Sequence, residues 1–170
     1  MLDTDSFARY LAMQVLTANW DGYALFMNNY RVYHDPASGH ITFIPHGMDQ
    51  TFAQASMPLV PTRWQGSLAR QYMDTRQGQA LYRQQIGALF ASTYHAEALA
   101  QRVDVLASRI RPMLAESSET AAARYDRLVA GLRNRILQRG EFLARQLAGT
   151  NVAGGNADHR MIITTPRLSR

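Results

Sequence analysis

A single β-hairpin set among helical repeats constrains the fold of this chain more than any other feature. Residues 30–33 (YRVY) alternate in the manner of a strand, and residues 41–44 (ITFI) form a second such run, which Pro45 ends. Between them, residues 35–39 (DPASG) are a dense turn signal. Two short strands bury little surface, so the core of a chain of 170 residues must come mainly from its helices.

The hydrophobic pattern is helical on both sides of this hairpin. Apolar residues recur at three- and four-residue spacings over about residues 6–18, 67–73, 78–91, 96–113 and 120–147. Pro112 should end or kink the fourth of these helices, because it lacks an amide donor. We therefore predict an α+β fold that is mostly α, with a central β-hairpin packed on a helical bundle.

The basic residues are all arginine: there are 18 of them, with no lysine and no cysteine. The absence of cysteine excludes a disulfide framework, a thiol nucleophile and a Cys-based metal site. No apolar run approaches the roughly 20 residues that a membrane-spanning helix needs. Acidic residues interrupt the arginines of the last helical segment, which include Arg124, Arg127, Arg133, Arg135 and Arg139. We expect a solvated amphipathic helix there rather than a nucleic-acid-binding surface.

The residues able to carry chemistry lie on either side of the hairpin. Asp21 falls in a polar loop after the first helix, Asn28 and Asn29 precede the first strand, and Asp49 follows the second. The C-lobe of protein kinases has the same order: a catalytic-loop Asp, a metal-binding Asn, a hairpin and a metal-binding Asp. Carboxylate and amide oxygens suit Mg²⁺ or Mn²⁺. Taken singly, each residue is explained more simply as a turn or capping residue, so the order carries the functional interpretation.

Longer strings make this interpretation specific. ANWDGY, NNYRVYHDPASGHITFIPHGMDQTF and RNRILQRGEFLARQL resemble the CotH kinase family, named for a spore coat protein, over roughly residues 2–147. That family typically shows an NNY-bearing strand, a DP-x-x-G turn and an IPWDxDxTF-like metal loop. The resemblance implies a protein-kinase-like C-lobe. It also implies that ATP and Mg²⁺ or Mn²⁺ serve to phosphorylate side-chain hydroxyls of a protein substrate.

The resemblance implies a role for each matching residue. Asp21 corresponds to the catalytic Asp and Asp49 to the metal-binding Asp. Asn28 or Asn29 corresponds to the metal-side Asn, and the sequence leaves that choice open. Gln50, which flanks Asp49, is expected at the cofactor.

Two residues depart from the family pattern just before Asp49. His46 and Gly47 stand where the family has a Trp-Asp pair, so one carboxylate is lost. His34, His40 and His46 lie close together along the hairpin, and a histidine metal site is the less favoured alternative.

The resemblance also implies how the chain is organised. We expect residues 1–149 to be the C-terminal portion of a CotH kinase-like domain whose N-lobe is missing, so that these residues are an incomplete part of the protein. Residues 150–170 are expected to be a mobile tail or the start of a following segment, with residues 161–165 (MIITT) strand-like in composition.

The missing parts favour an alternative function. Kinases use a lysine to hold ATP phosphates, and this chain has none, nor a glycine-rich loop before its first helix. We therefore expect the ATP affinity of these residues alone to be poor. The alternative function is a non-catalytic surface or spore-coat interaction module on the same fold. The family implies a coat or cell-surface protein as substrate, and a location at the spore coat, at the cell surface or outside the cell.

Overall fold

A computed structural model describes residues 1–153, with the side chains of residues 1–149. This part of the chain is mostly helical and contains one two-stranded antiparallel sheet, which confirms the predicted fold class. Among the described helices, none is both long enough and apolar enough to cross a membrane. Most of the predicted tail, including the strand-like residues 161–165, lies outside the described residues.

The elements follow one another in a simple order. They are α1 (Thr4–Leu16), α2 (Tyr23–Phe26), β1 (Tyr30–His34), β2 (Ile41–Pro45), a 3-10 turn (Met48–Gln50), α3 (Ser67–Met73), α4 (Arg76–Ser92), α5 (Ala96–Ser117) and α6 (Glu119–Ala153). The last helix therefore runs past residue 149, where we placed the domain boundary.

Two helix ends differ from the prediction for identifiable reasons. The first helix begins two residues early, because the Asp3 carboxylate accepts a hydrogen bond from the Ser6 amide at 3.0 Å and caps it. Pro112 does not end α5, which continues to Ser117. The proline is exposed, and α6 packs along the opposite side of α5, so tertiary packing compensates for the missing amide donor.

The first helix is the centre of the core and carries the hairpin. The side chains of Phe7, Leu11 and Val15 of α1 are at most 1% exposed. From β2, the Phe43 ring reaches Phe7 at 4.9 Å and Tyr23 at 4.9 Å between ring centroids. Aromatic packing thereby holds the sheet against both the first helix and the segment that follows it.

A buried cation joins the last helix to the first. Arg139 of α6 is fully buried, so the solvated position predicted for it is wrong. Its guanidinium donates to four backbone carbonyls: Leu16 at 3.2 Å, Val15 at 2.6 Å, Ala55 at 3.0 Å and Met57. Two of these end α1, where helix carbonyls lack intrahelical donors and carry partial negative charge. Backbone dipoles therefore replace the usual carboxylate partner.

Burial lowers the pKa of Arg139 to about 10, although the nearby Tyr94 and Tyr82 hydroxyls partly oppose this shift. The side chain therefore stays cationic at neutral pH. Its neighbour Arg135 is half-buried and donates to the Phe52 carbonyl at 2.9 Å, so the same helix also holds the segment that follows the 3-10 turn.

Replacing this cation should destabilise the fold. Arg139→Met keeps the aliphatic part of the side chain but removes the guanidinium. The substitution leaves four carbonyls without these donors: those of Val15, Leu16, Ala55 and Met57. We expect a loss of roughly 3–5 kcal/mol in the free energy of unfolding, measured by urea denaturation. Arg145→Met on the same helix, where the side chain is 69% exposed, should change it by less than about 0.5 kcal/mol. Equal losses in the two variants would contradict this account.

Alkaline pH should destabilise the protein through its buried tyrosines. Burial raises the pKa of Tyr10, Tyr82 and Tyr94 above the ordinary 10.0, that of Tyr94 to about 12. As pH rises from 10 towards 12, the unfolded chain therefore binds fewer protons than the folded one, and stability falls. Arg139 acts in the opposite sense, because its pKa is lowered on folding, but it is one group against three.

Unfolding free energies measured across this pH range check the expectation. Tyr94→Phe should make the decline shallower, whereas Tyr33→Phe, at a tyrosine that is 53% exposed on the hairpin, should leave its slope unchanged. A decline that is the same in the wild type and Tyr94→Phe would argue against the tyrosine explanation.

Candidate active site

The loop after α1 is shaped by a buried pair of amides. Gln14 and Asn19 are both fully buried, and Asn19 Nδ2 donates to Gln14 Oε1 at 2.7 Å. Gly22 closes the loop against this pair, because a Cβ atom there would lie 1.8 Å from Gln14 Oε1. The loop therefore folds back over the end of α1 and presents Asp21, which lies between Asn19 and Gly22. Sequence reasoning missed Gln14, whose signal is a lone amide in the buried face of an apolar helix.

Both asparagines that precede β1 contact Asp21. Asn28 Nδ2 donates to Asp21 Oδ1 at 3.2 Å, and Asn29 Nδ2 donates to Asp21 Oδ2 at 2.5 Å. Asn29 has a φ of 47°, in the left-handed region that asparagine tolerates better than most residues. Each carboxylate oxygen of Asp21 thus accepts one amide, and the structure brings together three of the predicted site residues.

The loop after β2 carries the remaining two. Asp49 and Gln50 lie exposed in the 3-10 turn, where Gln50 Nε2 donates to Asp49 Oδ2 at 3.2 Å. The turn is followed by Phe52, whose amide donates to the Thr17 carbonyl at 2.7 Å. The end of α1 therefore anchors this loop as well as the loop that carries Asp21.

Asn29 connects the two halves of the site through Gly47. Gly47 precedes the 3-10 turn with a φ of 55°, and a Cβ atom there would lie 2.8 Å from both Cγ and Oδ1 of Asn29. The His46 amide also donates to the Asn29 carbonyl at 3.3 Å. Asn29 thus touches Asp21 on one side and the turn that carries Asp49 on the other. Position 47 therefore favours glycine, because Asn29 takes the space that a Cβ atom would need.

The histidines do not form the alternative metal site. His46 Nε2 lies 3.1 Å from Nη2 of Arg31, a contact in which the histidine nitrogen accepts. Among the described residues, no three His, Cys, Asp or Glu side chains are arranged to hold a metal ion. The available donors are the carboxylates of Asp21 and Asp49 and the amides of the two asparagines. This hard-oxygen set fits Mg²⁺ or Mn²⁺ better than a metal that prefers nitrogen or sulfur.

The chain belongs to the CotH kinase protein family, whose sequence model matches residues 1–143. It is 25% identical over 155 residues to inner spore coat protein H of Bacillus subtilis, covering 86% of this chain and 42% of that protein. It is 38% identical over 53 residues to invasin CotH2 of Rhizopus delemar, covering 31% of this chain and 9% of that protein. The chain therefore spans less than half the length of these two relatives. The matched family is the one that the sequence strings resemble.

Adding a side chain at position 47 should lower the stability by more than the backbone strain of a left-handed residue accounts for. Gly47→Ala forces a left-handed alanine and presses its Cβ on Asn29, whereas Gly39→Ala has a similar φ of 68° with nothing within 4 Å. Both should lose about 1 kcal/mol of stability from strain. Only Gly47→Ala should lose roughly 1 kcal/mol more, and displace the Asn29 amide resonance in NMR spectra.

A double variant isolates that contact. Asn29→Gly removes the opposing side chain, so Gly47→Ala should cost about as much in that background as Gly39→Ala costs in the wild type. If the cost of Gly47→Ala is the same with and without the Asn29 side chain, the two residues do not compete for space.

Proposed function

We propose that this site is the catalytic and metal-binding half of a CotH-type protein kinase. It would transfer the γ-phosphoryl group of ATP to side-chain hydroxyls of a protein, with Mg²⁺ or Mn²⁺ as the divalent cation. The observation that carries the proposal is the position of Asn29, which contacts Asp21 and packs against the turn that holds Asp49. Phosphoryl transfer depends mainly on positioning and on charge neutralisation, and this arrangement supplies polar groups for both.

Asp21 is the residue that would orient and deprotonate the acceptor hydroxyl. Its two oxygens are held by Asn28 and Asn29, which orients the carboxylate. A carboxylate has about four acceptor positions, so Asp21 retains capacity to accept a hydrogen bond, and then the proton, from a serine, threonine or tyrosine hydroxyl.

Asp49 and Asn29 are the residues that would hold the cation. Asn29 would use its side-chain oxygen, because its Nδ2 donates to Asp21, and Asn28 would only orient Asp21. This division follows from their positions, since Asn29 is half-buried between the two loops and Asn28 is exposed. A divalent cation there would neutralise charge on the ATP phosphates. Gln50, which donates to Asp49, would orient that carboxylate at the cofactor.

The second candidate is a non-catalytic interaction module on the same fold. Two observations favour it: the 170 residues include no lysine for ATP phosphates, and both Asp21 oxygens already have amide partners in the described structure. The relatives carry the names spore coat protein and invasin, and under either proposal we place this protein and its partner at a coat or cell surface.

Metal-dependent labelling by the full-length protein with ATP distinguishes the two. Asp21→Ala and Asp49→Ala should each lower phosphoryl transfer by roughly 100-fold or more. Asp74→Ala removes an exposed carboxylate at the end of α3 and should leave the rate unchanged. If both site variants label as well as the wild type, the catalytic assignment is wrong. A folded full-length protein that binds no ATP–Mg²⁺ by calorimetry would support the interaction module.

A further inference from the structure

The helical hairpin formed by α5 and α6 has two unlike sides. On one side, ion pairs join the helices: Arg111 contacts Glu119 and Asp126, each at 3.0 Å, and Arg133 contacts Asp104 at 3.1 Å. The helices pack closely along their length, with small and apolar residues such as Ala100 and Ala122 buried between them. This polar side satisfies its own charges.

The opposite side is apolar and exposed. Leu106, Ile110 and Met113 of α5 recur at spacings of four and three, and they are 42%, 44% and 71% exposed. At about 100° per residue, they lie on the flank of α5 opposite Arg111 and Asp104. On α6, Leu128 is 61% exposed. We call Leu106, Ile110, Met113 and Leu128 the apolar side of the hairpin.

The apolar side begins at the loop that carries Asp49. Leu99 lies seven residues before Leu106, so both occupy the same face of α5. Leu99 lines a cavity of about 250 Å³ together with Met48 and Phe52, which lie on either side of Asp49 in that loop. On α6, Arg135 lies seven residues after Leu128 and donates to the Phe52 carbonyl. The apolar side of each helix therefore starts near Phe52 and extends away from it towards the loop that joins α5 to α6.

Arginines without partners border this side. Arg102 and Arg109 of α5 and Arg124 of α6 are exposed, and their side chains make no ion pair or hydrogen bond among residues 1–149. Glu116 lies beyond Met113, at the outer end of α5. An apolar stripe edged by unpaired arginines matches an acidic partner. A second copy packed antiparallel along the stripe would bring Arg102 of one copy close to Arg109 of the other, and this repulsion disfavours self-association through this side.

We propose that the apolar side is a docking surface for an acidic, amphipathic segment of the protein whose hydroxyl reaches Asp21. From Leu99 to Met113 the stripe is about 21 Å long, enough for a segment of about 14 helical residues. Its apolar side chains would cover Leu106, Ile110 and Met113, and its carboxylates would meet Arg102 and Arg109. Identifying the partner as the phosphoryl acceptor rests on the proposed function, whereas the surface itself does not.

A designed peptide tests the surface directly. The probe is a fluorescent helical peptide of about 18 residues, with leucine on one face and glutamate on the others. Fluorescence anisotropy should show binding by the full-length protein that weakens as salt rises. Ile110→Ser with Met113→Ser, and separately Arg102→Glu with Arg109→Glu, should each weaken binding by about tenfold or more.

Matched variants lie on other faces of the same helices. Val105→Ser replaces a side chain that is 43% exposed, about 140° around α5 from Ile110. Arg127→Glu reverses an exposed charge on the face of α6 turned away from α5. Both should bind the probe as the wild type does. Equal loss in these controls, or equal binding of a probe with lysine in place of glutamate, would overturn the proposal. So would a concentration-dependent dimer that Ile110→Ser with Met113→Ser abolishes.

Two further measurements separate this proposal from the proposed function. Asp21→Ala and Asp49→Ala should bind the probe normally, because neither residue lies on the apolar side. With a serine added to the probe and ATP present, Ile110→Ser with Met113→Ser should raise KM and leave kcat unchanged. Probe binding without phosphorylation would reject the acceptor role and keep the surface. Phosphorylation with a KM insensitive to these variants would reject the surface and keep the kinase.

Discussion

The hydrogen bonds of Arg139 hold together the parts on which the site depends. This side chain reaches from the last helix to the final carbonyls of α1 and to the segment around Ala55 and Met57. The loop that presents Asp21 starts where α1 ends, and the loop that presents Asp49 leads into that segment. One buried cation therefore fixes the relative positions of both loops, although the hydrogen bonds described for it reach none of the site residues. Taking a charge out of water is costly, and the several carbonyl acceptors offset that cost.

Within this frame, close approach between loops is set by residues with little or no side chain. Gly22 lets the first loop lie against the buried amide of Gln14, and Gly47 makes room for Asn29. The pattern that the sequence resembles has a carboxylate where this chain has Gly47. In the structure, the side-chain amide of Asn29, which contacts Asp21, takes the space next to Gly47. The glycine thus lets the two loops meet. It leaves Asp49 as the carboxylate of the second loop and gives Asn29 contacts with both loops.

The exposed loop that carries Asp49 and the apolar side of α5 and α6 adjoin each other on the surface. The hairpin face that carries Phe43 packs against the core, whereas Asn28 and Asp49 in the loops at its end are exposed. The apolar side of α5 and α6 starts at the loop that carries Asp49. Under the proposed function, a protein substrate would contact both the loop and this side. The chain spans less than half the length of these two relatives.

Local sequence determined the secondary structure of this protein and the order of its candidate site residues. The period-two runs and turn residues define the hairpin, and the three- and four-residue repeats define the helices. The order of Asp21, the Asn28–Asn29 pair and Asp49 marks the candidate site. These features depend on neighbours along the chain, so they are readable without the fold. The tertiary structure alone decided that Arg139 is buried, that Pro112 is tolerated and that Asn28 and Asn29 both contact Asp21. Arg139 and Leu16 are 123 positions apart, and no local pattern tells an arginine that will meet helix carbonyls from one that will meet water.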